Sequence, residues 1–213
     1  FTFVKTRGIC VQSVKWNKEV FTPSKIICVG RNYAAHIAEL NNETPTNMVL
    51  FAKPNSAITD SLNSEHLGEA LHYETELCFL VKDKQLAAVA LGLDLTKRGL
   101  QSTLKEKGLP WERAKAFNGS ALFTEFVAVN ASCHYQFSLK IDGIDTQLGD
   151  TRLMLHNAEQ ILAEISDFMD LEDGDIIMTG TPEGVGKVVA NSSFAVTLMD
   201  DQQELLSHQW QAL

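Results

Sequence analysis

The sequence predicts an α+β fold that is mostly β. Three observations support this. Short β-branched or aromatic runs bounded by turn residues recur along the chain. Only three stretches carry helical spacing instead. No internal repeat, low-complexity tract or Pro/Gly/Ser linker interrupts the 213 residues, which fit one domain spanning 1–213.

The strand-like runs are Lys25–Val29, Met48–Ala52, Glu74–Lys82, Ala87–Leu93, Phe123–Val129, Gln136–Ile141, Asp175–Met178 and Ser193–Met199. Asp142-Gly143 signals a hairpin after Leu139-Lys140-Ile141. The first helical stretch is Asn32–Leu40, with Tyr33, Ile37 and Leu40 on one side. The second is Thr96–Lys107, with Thr96 as candidate N-cap and Gly108 as its stop. The third is Leu155–Met169, carrying Ile161, Leu162, Ile165 and Phe168 at helical spacing. The polar segment 40–47 reads equally as a surface connection or as an active-site lid around 32–47.

Composition excludes several classes. Hydrophobic residues make up 45% and charged residues 21%, near globular averages, so a full core can form without staples. The net charge of −9 argues against a nucleic-acid partner, which needs a basic face. It leaves room for an anionic substrate, because a bound cation reverses the sign locally. No apolar stretch approaches the ~20 residues of a membrane helix. Phe1-Thr2-Phe3-Val4-Lys5 shows no signal-peptide pattern. Cys10, Cys28, Cys78 and Cys133 form no Cys-x-x-Cys pair, and Cys28 and Cys78 lie within apolar runs. Buried, reduced thiols and a reducing compartment are expected.

Four segments carry chemistry. In His72-Tyr73-Glu74-Thr75-Glu76, the two glutamates are two apart and share one strand face. Two adjacent carboxylates resist ionising together, and a hard divalent cation removes that conflict. An isolated Glu-x-Glu is more often a solvated strand face, but the apolar run Leu77–Val81 tells against full exposure here. Asp94 ends an apolar strand just before a helix, where it serves either a ligand or the helix cap. Lys115 sits among small and aromatic residues, either snorkelling to solvent or aimed at an anion. Thr179-Gly180-Thr181-Pro182-Glu183-Gly184-Val185-Gly186 is either a tight turn or a source of N–H groups for a carboxylate. It is not a dinucleotide fingerprint, because it lacks GxGxxG.

Together with Val29-Gly30-Arg31-Asn32-Tyr33 and Phe51-Ala52-Lys53-Pro54, and with Gly108-Leu109-Pro110-Trp111, these segments resemble the fumarylacetoacetate hydrolase family. The likeness is to its short members: acylpyruvases, oxaloacetate decarboxylases and related isomerases. The resemblance implies a mixed, mainly antiparallel rolled β-sheet with a few peripheral helices, usually in a homodimer. It implies Mg²⁺, with Mn²⁺ as the alternative, held by Glu74, Glu76 and Asp94. It makes His36, Glu39 and Lys115 catalytic, and Arg31, Arg98, Gln101 and Thr181 substrate-binding. The implied substrate is a small 2-oxo acid. The first expectation is C–C cleavage through a pyruvate enolate, as in acylpyruvate hydrolysis or oxaloacetate decarboxylation. The alternative is an isomerase, either an oxaloacetate keto–enol tautomerase or an aromatic-catabolism isomerase. A non-catalytic metal-binding homologue is the third reading. Two-domain members carry an extra domain not seen in this sequence, so the expected substrate is not fumarylacetoacetate itself. The expected compartment is the cytoplasm, or the mitochondrion in a eukaryote.

Overall fold

A computed structural model describes residues 11–40, 45–130, 133–201 and 203–213. Cys10 and part of the expected lid, 41–44, lie outside the described residues.

The largest sheet has seven strands. Its order is Ala121–Phe123, Gln85–Asp94, Thr75–Lys82, Ile176–Met178, Lys25–Gly30, Val49–Pro54, and Val127–Ala128 also pairs with Gln85–Asp94. All of these pairings are antiparallel except Ile176–Met178 with Lys25–Gly30. A second sheet, also antiparallel, runs Ile144–Asp150, Gln136–Ile141, Ser193–Met199, Glu204–Gln211. The two sheets curl around a shared core, so the mixed, mainly antiparallel expectation holds.

Strand Thr75–Lys82 is buried on both faces, which explains its unbroken apolar run. Leu77 and Phe79 point toward Phe137, Leu139, Phe194 and Val196 of the second sheet. The alternate residues Cys78 and Leu80 pack with Ile26, Cys28 and Met178 on the other side. Helix Ala158–Ser166 covers Ile27, Val29 and Ile177 with Ile161 and Ile165. Each fully buried aliphatic side chain here contributes about 2 kcal/mol relative to exposure. Cys28 and Cys78 are buried free thiols, as expected, and Cys133 is a half-buried one.

All three helix starts differ from the sequence reading, the first beginning at Ala34 rather than Asn32, with Tyr33 as its N-cap. Thr96 does not cap the helix Arg98–Glu106, whose N-cap is Lys97 without a side-chain bond. The Thr96 hydroxyl faces inward, donating to the Asp94 carbonyl and accepting from Lys115. The third helix begins at Ala158 rather than Leu155, because Asn157 and Gln160 form a reciprocal capping box. Leu155 and His156 are instead tied to Asn32.

Candidate active site

Strand pairing brings the acidic residues together. Glu76 lies opposite Gly92, and Thr75 lies opposite Leu93, so the start of one strand meets the end of the next. The Asp94 N–H donates to the Glu74 carbonyl at 2.8 Å. Glu74, Glu76 and Asp94 are all buried, and one carboxylate oxygen from each lies within 4.8 Å of the others. Because Ile176–Met178 runs beside Thr75–Lys82, Gly180, two residues past its end, reaches Glu76. Its N–H donates to Glu76 Oε2 at 2.8 Å. Gly180 sits at φ +97°, and a Cβ there would approach Asn32 Cβ to 2.9 Å, so only glycine fits.

Three cations neutralise this cluster. The Lys115 ammonium donates to Glu74 Oε2 at 2.8 Å, to Asp94 Oδ2 at 2.7 Å and to Thr96 Oγ1 at 2.7 Å. Those three bonds use all of its donors. Arg98 pairs with Glu74 Oε1. The buried Lys53 ammonium lies 2.7 Å from Asp94 Oδ1, an ion pair without hydrogen-bond alignment. It donates to the carbonyls of Lys115 and Ser120, so it also fixes the short helix Glu112–Lys115.

The electrostatics are uneven. Burial would raise Glu74, but Lys115, Arg98 and His36 outweigh it and hold its carboxyl far below the usual range. Burial would likewise lower the Lys115 ammonium, but Asp94 and Glu74 push it up. For Glu76, burial and then the Asp94 and Glu74 charges push the acid well above its ordinary value. Lys115 and the Gly180 N–H relieve this only partly. Three converging oxygen donors, one of them still under like-charge stress, suit a hard divalent cation.

On the neighbouring wall, the helix Ala34–Glu39 carries His36 and Glu39 three residues apart. His36 is buried, and its Nδ1 lies 3.1 Å from Glu39 Oε2. Glu39 Oε1 in turn accepts the Gly184 N–H at 3.0 Å. Asn32 anchors the start of this helix. Its amide donates to the carbonyls of His156 and Thr179 and accepts the His156 N–H. The glycine loop therefore spends two N–H groups on protein carboxylates, Glu76 and Glu39. Arg31, at φ 60°, turns the chain from strand to helix in the left-handed region that non-glycine residues seldom adopt.

These walls enclose a cleft with an open centre of about 30 Å³, room for little more than water. It is lined by Glu74, Glu76, Asp94, His36 and Lys115, and by Arg31, Arg98, Gln101 and Thr181. Every expected site residue therefore lines the cleft except Glu39, which stands behind His36. Gln101 accepts from Arg98 at 2.8 Å, and the Thr181 hydroxyl accepts from Gln147 at 2.9 Å. The sequence reading missed three contributors. Lys53 was visible only as part of a motif, and Gln147 lies on an edge strand far along the chain. Lys105 extends the helix face of Arg98 and Gln101 into the cleft.

Residues 25–209 match the family described as fumarylacetoacetate (FAA) hydrolase C-terminal. The chain is 34% identical to the mitochondrial oxaloacetate tautomerase oaa1 of Schizosaccharomyces pombe, over 84% of this chain and 90% of that one. It is likewise 34% identical to the oxaloacetate tautomerase YcgM of Escherichia coli, over 82% and 88%. The crystal structure of fumarylpyruvate hydrolase from Pseudomonas aeruginosa, with Mn²⁺ and pyruvate, superposes with a TM-score of 0.84 at 29% identity. That match covers 95% of this chain and 96% of the other. By sequence and by fold, this chain is an enzyme of the fumarylacetoacetate hydrolase family.

Proposed function

We propose that the chain is a divalent-metal-dependent oxaloacetate keto–enol tautomerase. The observation that carries this is one cleft joining a buried carboxylate triad to a His–Glu pair and to basic side chains. The donor set favours Mg²⁺, with Mn²⁺ as the alternative, held by Glu74, Glu76 and Asp94. Once bound, the cation supplies Lewis acidity that steadies negative charge on the 2-oxo oxygen. The relatives named as oxaloacetate tautomerases support the choice of substrate.

The protein's own groups then divide the work. With Nδ1 held by Glu39, His36 keeps Nε2 for the cleft and moves a proton at C3 of the substrate. The Glu39 carboxylate, itself fixed by Gly184, steadies the imidazolium formed on the way. Arg31 and Arg98 hold the anionic substrate, and Gln101 and Thr181 orient it. Lys115 bridges Glu74 and Asp94 and keeps the triad assembled. The reaction moves one proton from carbon to oxygen and consumes no water.

A second reading is C–C cleavage, which the sequence reading placed first. The fumarylpyruvate hydrolase likeness favours it. There, His36 would activate a water toward a distal carbonyl. One experiment separates the two. The protein is incubated with Mg²⁺ and oxaloacetate, and in parallel with acetylpyruvate, while enol absorbance and pyruvate are both followed. Enol loss without pyruvate is expected. Pyruvate appearing in step with substrate loss would replace tautomerisation with cleavage.

A further inference from the structure

We propose that Lys105 is the specificity-determining group that reads the distal carboxylate of a dicarboxylic 2-oxo acid. The assignment rests on the reading of the cleft as a 2-oxo acid site, and it adds the residue that selects among such acids. Arg98, Gln101 and Lys105 are spaced i, i+3, i+7 on the helix Arg98–Glu106, so one helix face presents all three to the cleft. Their situations differ. Arg98 is committed to Glu74 and Gln101. Lys115, the other lysine lining the cleft, has spent its three donors on Glu74, Asp94 and Thr96. Among the described residues, no carboxylate pairs with Lys105. Its ammonium lies 5.0 Å from the centre of the Trp111 ring, which positions it without neutralising it.

Lys105 is half-buried and faces like charge. Burial, then Arg31 and Arg98, and last Lys115, bring its ammonium down to about 8 against the opposing pull of Glu74. A carboxylate placed among these cations relieves that repulsion and receives a charge-assisted hydrogen bond. A 2-oxo monocarboxylate, with its single acid group at the triad, gains nothing from Lys105. The selected class is therefore the 2-oxo dicarboxylates.

The test measures binding of pyruvate and of fresh oxaloacetate in Mg²⁺, by calorimetry and by ligand-dependent melting, in wild type, Lys105→Met and Lys105→Arg. Wild type should prefer oxaloacetate by about tenfold. Lys105→Met should bring the two affinities together by weakening oxaloacetate alone. Lys105→Arg should restore most of the preference, and in turnover the loss should fall on KM rather than kcat. A preference unchanged in Lys105→Met would overturn the assignment. So would equal affinities in wild type, or loss of both ligands in Lys105→Met, which would make the lysine part of the scaffold. A wild type that prefers oxaloacetate through Lys105 yet does not speed its keto–enol interconversion would sink the tautomerase reading and keep this one.

Discussion

Two buried carboxylates lie near opposite ends of the short strand Ile176–Met178, and they could hardly be held more differently. Asp175, just before the strand, is fully buried and accepts five hydrogen bonds. They come from the Ser24 N–H and hydroxyl, the Lys25 N–H and ammonium, and the Glu172 N–H. Glu76, beside the strand's other end, accepts the Gly180 N–H and faces two further carboxylates. Asp175 is pulled below its ordinary pKa, while Glu76 is pushed well above its own. A buried charge surrounded by donors ties the chain together. A buried carboxylate set beside two others, with one N–H donor of its own, is the arrangement that the proposed cation site needs.

Substituting each carboxylate by its amide tests that contrast. Glu76→Gln should cause the largest effect, bringing turnover to the uncatalysed background. Its melting temperature without added metal should hold or rise, because one of three repelling charges is gone. In wild type, millimolar Mg²⁺ should raise the melting temperature, since a ligand bound only by the folded state stabilises it. Glu76→Gln should lose most of that rise, and a variant that kept it would remove Glu76 from the ligand set. His36→Ala comes next, with kcat lower by about 10²–10⁴-fold. Its Mg²⁺-dependent melting shift should be intact, because the proposal gives His36 the proton and not the cation. Loss of that shift would place His36 among the ligands instead.

The same contrast explains what was legible in the sequence. Residue spacing alone left Glu74 and Glu76 readable as a solvated face and Asp94 as a helix cap, and it was the family resemblance that made the three a ligand set. Asp94 does end its strand, and Glu74 falls between two strands. The core strands were readable because two-sided burial leaves continuous apolar runs. Strand Glu204–Gln211 was not, since it is largely exposed and its residues read as polar. The Asn157–Gln160 capping box was present in the sequence, but the apolar Leu155 drew the predicted start forward. What the lysines do could not be read locally. Lys53, Lys97, Lys105 and Lys115 differ only in what the fold sets against them: Asp94, Glu69, Trp111, and Glu74 with Asp94. Lys105 lay outside the quoted motifs, and only the helix face reveals that it belongs with Arg98 and Gln101.

Asp175→Asn should show the reverse of Glu76→Gln, with turnover within about twofold of wild type and stability lower by about 2 kcal/mol. The amide sets its own donors against the Lys25 ammonium and the Glu172 N–H. For a chain of this size, that corresponds to a melting temperature lower by about 6 °C. The smallest effect is its dependence on pH, and its sign follows from the direction of the Asp175 shift. Burial raises the Asp175 pKa, but the bonds from Lys25, Glu172 and Ser24 lower it more, so the folded value lies below the unfolded one. Between those two values the unfolded chain binds more protons, and stability rises with pH. The Asp175 contribution is therefore complete above about pH 4 and fades as pH falls through the folded value. The gap between wild type and Asp175→Asn should be widest near neutrality and narrow in acid. Glu74 and Asp150, whose pKa values are also depressed, are present in both proteins and cancel in the difference. A gap that stayed constant down to pH 2 would mean that Asp175 stabilises the fold by shape and packing, not by charge.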